Sequence, residues 1–288
     1  INFALSKYIN EPKQALCFDL MKKKKLYGMF HGGGTYLFNY NPISDINFSS
    51  NNINIFRFID NNFVSSWVRK QNNNINKMKF DYKITGSSYF LNLNKKQKNL
   101  NSQHIYIASN FGMGEGCDNK WANYDDASYY KFLIKLCEVA SKKNINLKLK
   151  FRRINILKNL DLNKKIKNDN NLEFLYQNFL DYSKKDMIYL TSHYSTHMHE
   201  LIMLNSNIIF LFKKKAHSIN KKFFKSLKNI VKIETNEFSF FKKINYYKKF
   251  HNINVKYLNN FKKNFITDLK IDPNKEIFNT IYKNLKNN

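Results

Sequence analysis

The chain is poor in cysteine and in long apolar runs, and each shortage excludes a class of protein. Its three cysteines, Cys17, Cys117 and Cys137, are odd in number and lack CxxC spacing, which indicates neither a disulfide framework nor a cysteine-based zinc site. The longest apolar candidate, 201–212, is interrupted by the Asn-Ser-Asn sequence at 205–207. It therefore falls short of the roughly 18 residues that a membrane span needs. We expect a reduced, cytoplasmic protein without a transmembrane helix.

Acidic side chains are also scarce, which leaves the chain strongly basic. Lysine and arginine number 49 against 21 aspartate and glutamate, for a formal charge of +28. The lysines are spread along the whole sequence, whereas a nucleic-acid surface would cluster them. We therefore expect no nucleic-acid partner. The charge favours anionic substrates, or peripheral contact with the anionic inner face of a membrane, where each nearby lysine adds about 1 kcal/mol.

The start of the sequence predicts an incomplete first domain. The chain begins with Ile1 rather than methionine and shows no apolar signal-peptide region. Whether the chain is an N-terminally truncated fragment stays open at this point. Its 288 residues, 43% of them hydrophobic, still suffice for a substantial core in one or two domains.

Short β-rich segments alternate with longer amphipathic ones, which is typical of a parallel sheet with helical crossovers. The predicted strands are 26–30, 53–59, 104–108, 147–151, 187–190, 208–212 and 230–233. The predicted helices are 127–141, 172–183, 196–204, 237–247 and 272–285. The part after residue 84 is thus an α/β unit of Rossmann-like type, whose ligand site should lie beyond the carboxyl ends of its strands.

A histidine and three glycines follow the first of these strands. They are His31, Gly32, Gly33 and Gly34. Glycines let the backbone turn tightly and approach a ligand, and their successive N–H groups can hold an anion. A plain tight turn with a solvated histidine explains the same residues, and both interpretations stay open.

A glycine-rich segment follows the strand at 104–108. Its glycines, Gly112, Gly114 and Gly116, are too evenly spaced and too far from the next helix for a dinucleotide fingerprint. The segment is better interpreted as a mobile loop that closes over a phosphate or an acceptor.

Hydroxyl side chains follow the strand at 187–190. Ser192, Ser195 and Thr196 lie on a predicted strand-to-helix turn, where unsatisfied helix N–H groups attract anions. Glu200 shares a helix face with Thr196, so the pair could hold the phosphate and ribose hydroxyls of one nucleotide. A serine or threonine that merely caps the helix is the equal alternative.

The three histidines of this stretch do not form a recognisable metal motif. His193 and His197 lie on opposite sides of the predicted turn, and His197 and His199 are two residues apart on different helix faces. The sequence also contains no HExxH motif, and no serine lies in a GxSxG elbow. We expect neither a metal nor another cofactor.

The order of these motifs resembles that of bacterial transferases of surface-carbohydrate biosynthesis, which make lipopolysaccharide, O-antigen or capsule and have the GT-B fold. The resemblance rests on the His-Gly motif at 31–34, the segments at 63–67 and 84–88, the glycine-rich loop, the basic strand at 147–153, and the strand, Ser/Thr turn and glutamate-bearing helix at 188–201.

The resemblance implies a division into three parts. These would be a partial N-terminal, acceptor-side domain over 1–83, a Rossmann-like domain over 84–265 that binds the nucleotide donor, and a C-terminal helix over 266–288.

The resemblance also implies roles for the candidate residues. Ser192, Ser195, Thr196 and Glu200 would bind the donor nucleotide, with Lys150 or Arg152 near its diphosphate. Gly112 and Gly114 would contribute from their loop. His31 would face the cleft as the catalytic base or as a group that orients the acceptor. Gly32, Gly33 and Gly34, which follow it, would face the same cleft and bind the donor.

The sequence therefore predicts a metal-independent glycosyltransferase. Its donor would be a nucleotide-activated sugar, and its acceptor a growing glycan or a lipid-linked precursor at the inner membrane face. Two other classes stay open: a binding protein of the same fold without turnover, and a basic nucleic-acid-binding protein.

Overall fold

The computed structural model describes residues 3–6, 25–29, 63–66, 81–84, 87–93, 104–108, 126–151, 161–176, 178–182, 187–192, 194, 196–212, 221–244 and 253–286. The chain divides into two compact units. One contains 1–92, 218–224 and 259–288, and the other contains 93–217 and 225–258. The domain boundaries given above for the sequence stay a prediction.

The first unit contains a four-stranded sheet in the described part of the chain. Its strands are β1 (Phe3–Ser6), β2 (Lys25–Met29), β3 (Phe63–Ser66) and β4 (Asp81–Ile84), paired in chain order and all parallel. Strand β2 confirms the strand predicted at 26–30 to within one residue. The strand predicted at 53–59 lies outside the described residues.

The second unit contains a six-stranded parallel sheet. Its strands are β5 (His104–Ile107), β6 (Leu147–Lys150), β7 (Leu172–Phe174), β8 (Ile188–Thr191), β9 (Asn207–Leu211) and β10 (Lys232–Glu234). Their spatial order is β10-β9-β8-β5-β6-β7. The chain therefore runs outward from β5 to β7, and then returns to the opposite side of β5 with β8. This reversal between β5 and β8 is the switch point beside which open α/β sheets bind ligands.

In the second unit, a helix follows each of β5, β6, β8, β9 and β10, as crossovers between parallel strands require. The helices of the described residues are α1 (Ser88–Leu91), α2 (Asp126–Lys142), α3 (Asp161–Lys167), α4 (Thr196–Met203), α5 (Lys221–Lys228), α6 (Glu237–Lys243), α7 (Val255–Phe261) and α8 (Pro273–Lys286). A 3-10 turn covers Phe179–Asp181, and a π turn covers Lys262–Ile266. The helices predicted at 127–141, 196–204 and 272–285 are confirmed by α2, α4 and α8.

One face of the six-stranded sheet, which we call the α2 face, is covered by α2, α3 and α6. Tyr106, Leu149 and Leu190 of the strands lie in the same buried cluster as Leu133 and Leu136 of α2. The buried residues of α2 recur every three or four positions, so they form one apolar side of the helix.

The opposite face, which we call the α4 face, is covered by α4. Alternation along the strands places Thr191 and Phe210 on this face, and α4 buries Met198, Leu201 and Ile202. The two crossovers run in opposite directions from the centre of the sheet, so right-handed connections place their helices on opposite faces. Burial on both faces explains why β8 and β9 are buried throughout.

The helix predicted at 172–183 is wrong. Leu172 and Phe174 are buried and Glu173 is exposed, which is the alternation of a strand. This segment pairs with β6, and the Glu173 carboxylate forms an ion pair with Lys148 on that strand. Pairing with a neighbour that is distant in sequence therefore outweighed the local helical spacing.

No helix in the described part of the chain is long and apolar enough to cross a membrane.

We predict that Leu133→Ala lowers the free energy of unfolding by about 2–5 kcal/mol, because it opens a cavity where Leu133 is fully buried on α2. Lys131→Ala, on the exposed side of the same helix, should change it by less than about 0.5 kcal/mol. Urea unfolding of both variants measures the difference. Equal losses would contradict the assignment of the buried side of α2.

Candidate functional site

The structure describes some of the predicted site residues and not others. Lys150, Ser192, Thr196 and Glu200 lie among the described residues. The remainder lie outside them, and their roles stay predictions: His31, Gly32, Gly33, Gly34, Gly112, Gly114, Arg152 and Ser195.

The carboxyl ends of β5, β6 and β8 lie side by side. In the sheet register, Ile107 of β5 is opposite Lys150 of β6 on one side and opposite Thr191 of β8 on the other. Neighbouring strands are about 4.8 Å apart. Residues that follow these strands are therefore brought to one edge of the sheet, at the switch point.

Ser192, directly after β8, is held from the α2 face. Its Oγ lies 2.7 Å from the hydroxyl of Tyr106, which itself lies 3.0 Å from the hydroxyl of Tyr129 on α2. Tyr106, Ser192 and Tyr129 are only 0%, 2% and 3% exposed. A buried tyrosine places its ring in the core and needs a partner for its hydroxyl, and these hydroxyls supply partners for one another.

Thr191, the last residue of β8, is held from the other face. Its Oγ1 lies 3.1 Å from Nε2 of His197 in the first turn of α4. Thr191 is fully buried, while His197 is partly exposed. The hydrogen bond therefore joins the strand to the beginning of the helix that follows it.

We define the end of β8 as Thr191 and Ser192. These consecutive residues attach it to both layers of helices, Thr191 directly to α4 and Ser192 to α2 through Tyr106. Side chains alternate along a strand, so Thr191 points to the α4 face and Ser192 to the α2 face. The hydrogen bonds to His197 and to Tyr106 follow this alternation. The position at which the chain leaves the sheet for α4 is therefore fixed from both sides.

Thr196 and Glu200 are on the helix that begins at this point. Thr196 opens α4, Glu200 follows one turn later, and both are partly exposed. The apolar side of α4 anchors it to the sheet through Met198, Leu201 and Ile202. The N–H groups of the first helical turn carry partial positive charge, so this end of α4 attracts an anion.

Lys150 ends β6 at the same edge of the sheet. One strand, β5, separates it from β8, which corresponds to about 10 Å between backbones. Its ammonium group donates a 3.1 Å hydrogen bond to the carbonyl of Tyr176, after β7. Partial burial lowers the pKa of Lys150. The side chain thus contacts the β7 side of the edge.

His199 is a core residue of α4. It is fully buried, and its ring makes an edge-to-face contact of 5.4 Å with Tyr194. Burial lowers the pKa of His199 to about 3, so the imidazole is neutral and a weak base near neutral pH. Within the described residues, His, Cys, Asp and Glu form no group of three that could hold a metal ion.

The hydrogen bonds of Tyr106, Tyr129 and Thr191 were not predicted from the sequence. Tyr106 and Tyr129 are 23 residues apart, and Tyr106 and Ser192 are 86 apart. Their strand and helix were predicted, but hydrophobic periodicity does not specify which polar groups meet. The one available signal is a tyrosine in a buried strand, since its hydroxyl needs a polar partner.

We predict that His199 makes the protein less stable in acid. Its folded pKa of about 3 lies below the ordinary value of 6.5, so the unfolded chain binds the extra proton between these values. The contribution is complete above pH 6.5 and falls with decreasing pH, by up to about 1.4 kcal/mol per pH unit.

The variant His199→Phe keeps a ring beside Tyr194 and removes the titration. Its free energy of unfolding, measured by denaturant titration from pH 7 to pH 4, should therefore depend less steeply on pH. An unchanged slope would contradict the burial of a neutral His199.

Among the comparisons with known proteins, the one with solved structures bears on the fold. No family model matches the chain, and no match was found among curated proteins. Solved structures of TagF, a wall teichoic acid polymerase, do match. One variant aligns with a TM-score of 0.52 and 14% identity over 99% of this chain and 73% of that chain.

The same variant soaked with CDPG aligns at 0.51, with 15% identity over 99% and 72% of the two chains. TagF itself aligns at 0.50, with 14% identity over 92% and 69%. Identities this low show the fold alone. The structural alignments and the two parallel sheets together confirm an α/β fold of GT-B type, with a Rossmann-like sheet in the second unit.

Proposed function

We propose that the chain is a transferase that moves a sugar or related group from a nucleotide-activated donor to a growing bacterial surface polymer. The observation that carries the proposal is the beginning of α4, which follows β8 at the switch point of a Rossmann-like sheet and is joined to the end of β8 by the hydrogen bond between Thr191 and His197. Such a helix end favours a phosphate group.

The proposed donor contacts follow from the positions on α4. The N–H groups and the Thr196 hydroxyl would bind a phosphate of the donor, together with Ser195. Glu200, one turn further along, would accept hydrogen bonds from the ribose hydroxyls. Thr196 and Glu200 are four residues apart and share a helix face, so the carboxylate would contact the same nucleotide one turn away from the phosphate.

The likeness to TagF supports the class of donor. The structure soaked with CDPG shows that a protein of this fold was studied with CDP-glycerol, a nucleotide-activated compound. TagF is a wall teichoic acid polymerase, so we propose a surface polymer in general and do not restrict it to lipopolysaccharide, O-antigen or capsule.

The proposed chemistry is a displacement at the donor's transferred group. The acceptor hydroxyl forms the new bond as the bond to the donor phosphate breaks, and the nucleotide leaves with the electron pair. The acceptor's proton passes to a base, for which we propose His31. The N-terminus of α4 would stabilise the charge that develops on the leaving phosphate, a form of catalysis that needs no metal.

The other predicted residues keep supporting roles in the proposal. Gly32, Gly33 and Gly34, beside His31 in the sequence, would contribute to binding of the donor. Gly112 and Gly114 would allow their loop to approach the donor, and Arg152 with Lys150 would lie near its diphosphate.

An exposed face of α8 suits the proposed contact with an anionic membrane. Phe278 and Tyr282 are 65% and 47% exposed and stack with their centroids 5.9 Å apart. The ammonium of Lys286 lies 4.8 Å from the Tyr282 ring centroid. Aromatic rings beside lysines match a surface of anionic headgroups over apolar chains, which is where a lipid-linked acceptor would be found.

We predict that one of the nucleotides UDP, GDP, CDP and CMP stabilises the protein. At 100 times its dissociation constant, a ligand that binds only the folded state adds about 2.7 kcal/mol to the free energy of unfolding. Thermal unfolding with each nucleotide measures the effect. If none of the four changes the stability of the unmodified protein, the donor-site proposal fails.

Glu200→Gln should weaken binding of the same nucleotide about tenfold or more, because it removes a charged hydrogen-bond acceptor. Glu237→Gln is the matched control, since it removes a carboxylate from α6 in the same unit. Equal losses in both variants would contradict the assignment of Glu200 to the donor site.

We predict that the double variant Phe278→Ser, Tyr282→Ser sediments less with vesicles that contain phosphatidylglycerol than the unmodified protein does. Asn274→Ser, at an exposed position of the same helix, should sediment like the unmodified protein. Vesicles of phosphatidylcholine alone should bind all three weakly. Undiminished sedimentation of the double variant would contradict a role for this face.

A further inference from the structure

The hydroxyls of Tyr129, Tyr106 and Ser192 form a continuous buried chain that joins α2, β5 and the end of β8. We infer that Tyr106 is a positioning residue: through Ser192 it fixes the position of the first turn of α4, and thereby sets the affinity of the site for a nucleotide phosphate. The part of this inference that concerns affinity rests on the proposed function, whereas the part that concerns the turn does not.

Tyr106 is the central residue of this hydroxyl chain, because its hydroxyl contacts both of the others. A phenol hydroxyl carries one hydrogen, so it can donate in only one of its two hydrogen bonds. Tyr106 therefore accepts in at least one of these two hydrogen bonds, to Tyr129 and to Ser192. Removal of its hydroxyl breaks both contacts at once, whereas removal of the Tyr129 hydroxyl breaks only the contact that is more distant from β8.

The hydroxyl chain lies at the end of the pairing between strands β5 and β8. In the described residues, strands β5 and β8 are paired up to Ile107 and Thr191. The helices that follow them, α2 and α4, lie on opposite faces of the sheet. The Tyr106 to Ser192 hydrogen bond of 2.7 Å provides a side-chain link at this point.

The hydrogen bond between Tyr106 and Ser192 is buried, so its loss is expected to change the local structure. Tyr106 is fully buried and Ser192 nearly so. Removal of the Tyr106 hydroxyl deletes a buried hydrogen bond of Ser192, so Ser192 is expected to move. Residues 193–195 alone separate Ser192 from the beginning of α4, so a displacement of Ser192 is transmitted to the helix N-terminus.

The variant Tyr106→Phe tests the inference, because it removes the hydroxyl and keeps the ring, which packs 5.9 Å from Phe132. The matched control is Tyr130→Phe. Like Tyr106→Phe, it removes a phenol hydroxyl. The Tyr130 hydroxyl belongs to a partly buried side chain, accepts a hydrogen bond from the Leu162 amide of α3 and lies outside the hydroxyl chain of Tyr129, Tyr106 and Ser192. Both are compared with Ser192→Ala and with the double variant Tyr106→Phe, Ser192→Ala.

The first measurement needs no ligand. Amide hydrogen exchange over 192–200, followed by mass spectrometry, should be about tenfold faster in Tyr106→Phe than in the unmodified protein, and unchanged in Tyr130→Phe. The double variant should exchange no faster than the faster of its two single variants, since both changes break the same link. An unchanged rate in Tyr106→Phe, or fully additive effects, would overturn the inference.

The second measurement is nucleotide affinity, with UDP, GDP, CDP and CMP as probes. Tyr106→Phe should bind the stabilising nucleotide about three- to tenfold more weakly, and Tyr130→Phe should bind it like the unmodified protein. Faster exchange with unchanged affinity would overturn the link between the turn and the site.

The outcomes also separate this inference from the proposed function. If the unmodified protein binds none of the four nucleotides, the proposed function fails, and the exchange measurement still decides whether Tyr106 positions the turn. If Tyr106→Phe does not fold, Tyr129→Phe and Ser192→Ala take its place. Ser192→Ala should then raise exchange over 192–200 and Tyr129→Phe should raise it less, and a reversed order would overturn the inference.

Discussion

The attachment of the end of β8 to both faces of its sheet is the constraint on which the proposed site depends. Thr191 bonds with His197 of α4 on one face, and Ser192 bonds with Tyr106 on the other. These are consecutive residues, so the alternation of a strand suffices to direct them to opposite layers. A helix N-terminus is useful as an anion site only if it is held still, because a preformed site avoids the cost of ordering on binding. The polar link on the α2 face and the polar and apolar contacts on the α4 face provide this rigidity.

The topology places this attachment of β8 at the switch point of the sheet. Between β5 and β8 the chain reverses its direction of travel across the sheet, so the helices that follow the two strands lie on opposite faces and diverge. The resulting gap is what makes the switch point of an α/β sheet a binding place. At the same place a hydrogen bond between the Tyr106 and Ser192 hydroxyls links β5 to the end of β8. The proposed function and the positioning role of Tyr106 are therefore consequences of the same reversal.

Much of this architecture could be predicted from the sequence, and the failures have identifiable causes. Strands β5, β6, β8 and β9 and helices α2 and α4 were predicted because their apolar residues are continuous, alternate along the strand as in β6, or recur at helical spacing. Strand β7 was predicted as helix, because its three residues are too few to show a period and its partner β6 is distant in sequence. Ser192 was identified from its place after a strand, but its bond to Tyr106 was not, since polar pairing between distant residues leaves no periodic signal. The roles of His31 and of the glycines stay predictions.

The central claim is that the first turn of α4 binds the phosphate of a nucleotide donor. A crystal structure of the protein with the stabilising nucleotide bound tests it most directly. We expect a phosphate oxygen within hydrogen-bond distance of the Thr196 hydroxyl or of a backbone N–H in that turn, with the ribose hydroxyls against the Glu200 carboxylate. A nucleotide bound elsewhere on the sheet, with Thr196 and Glu200 remote from it, would contradict the account.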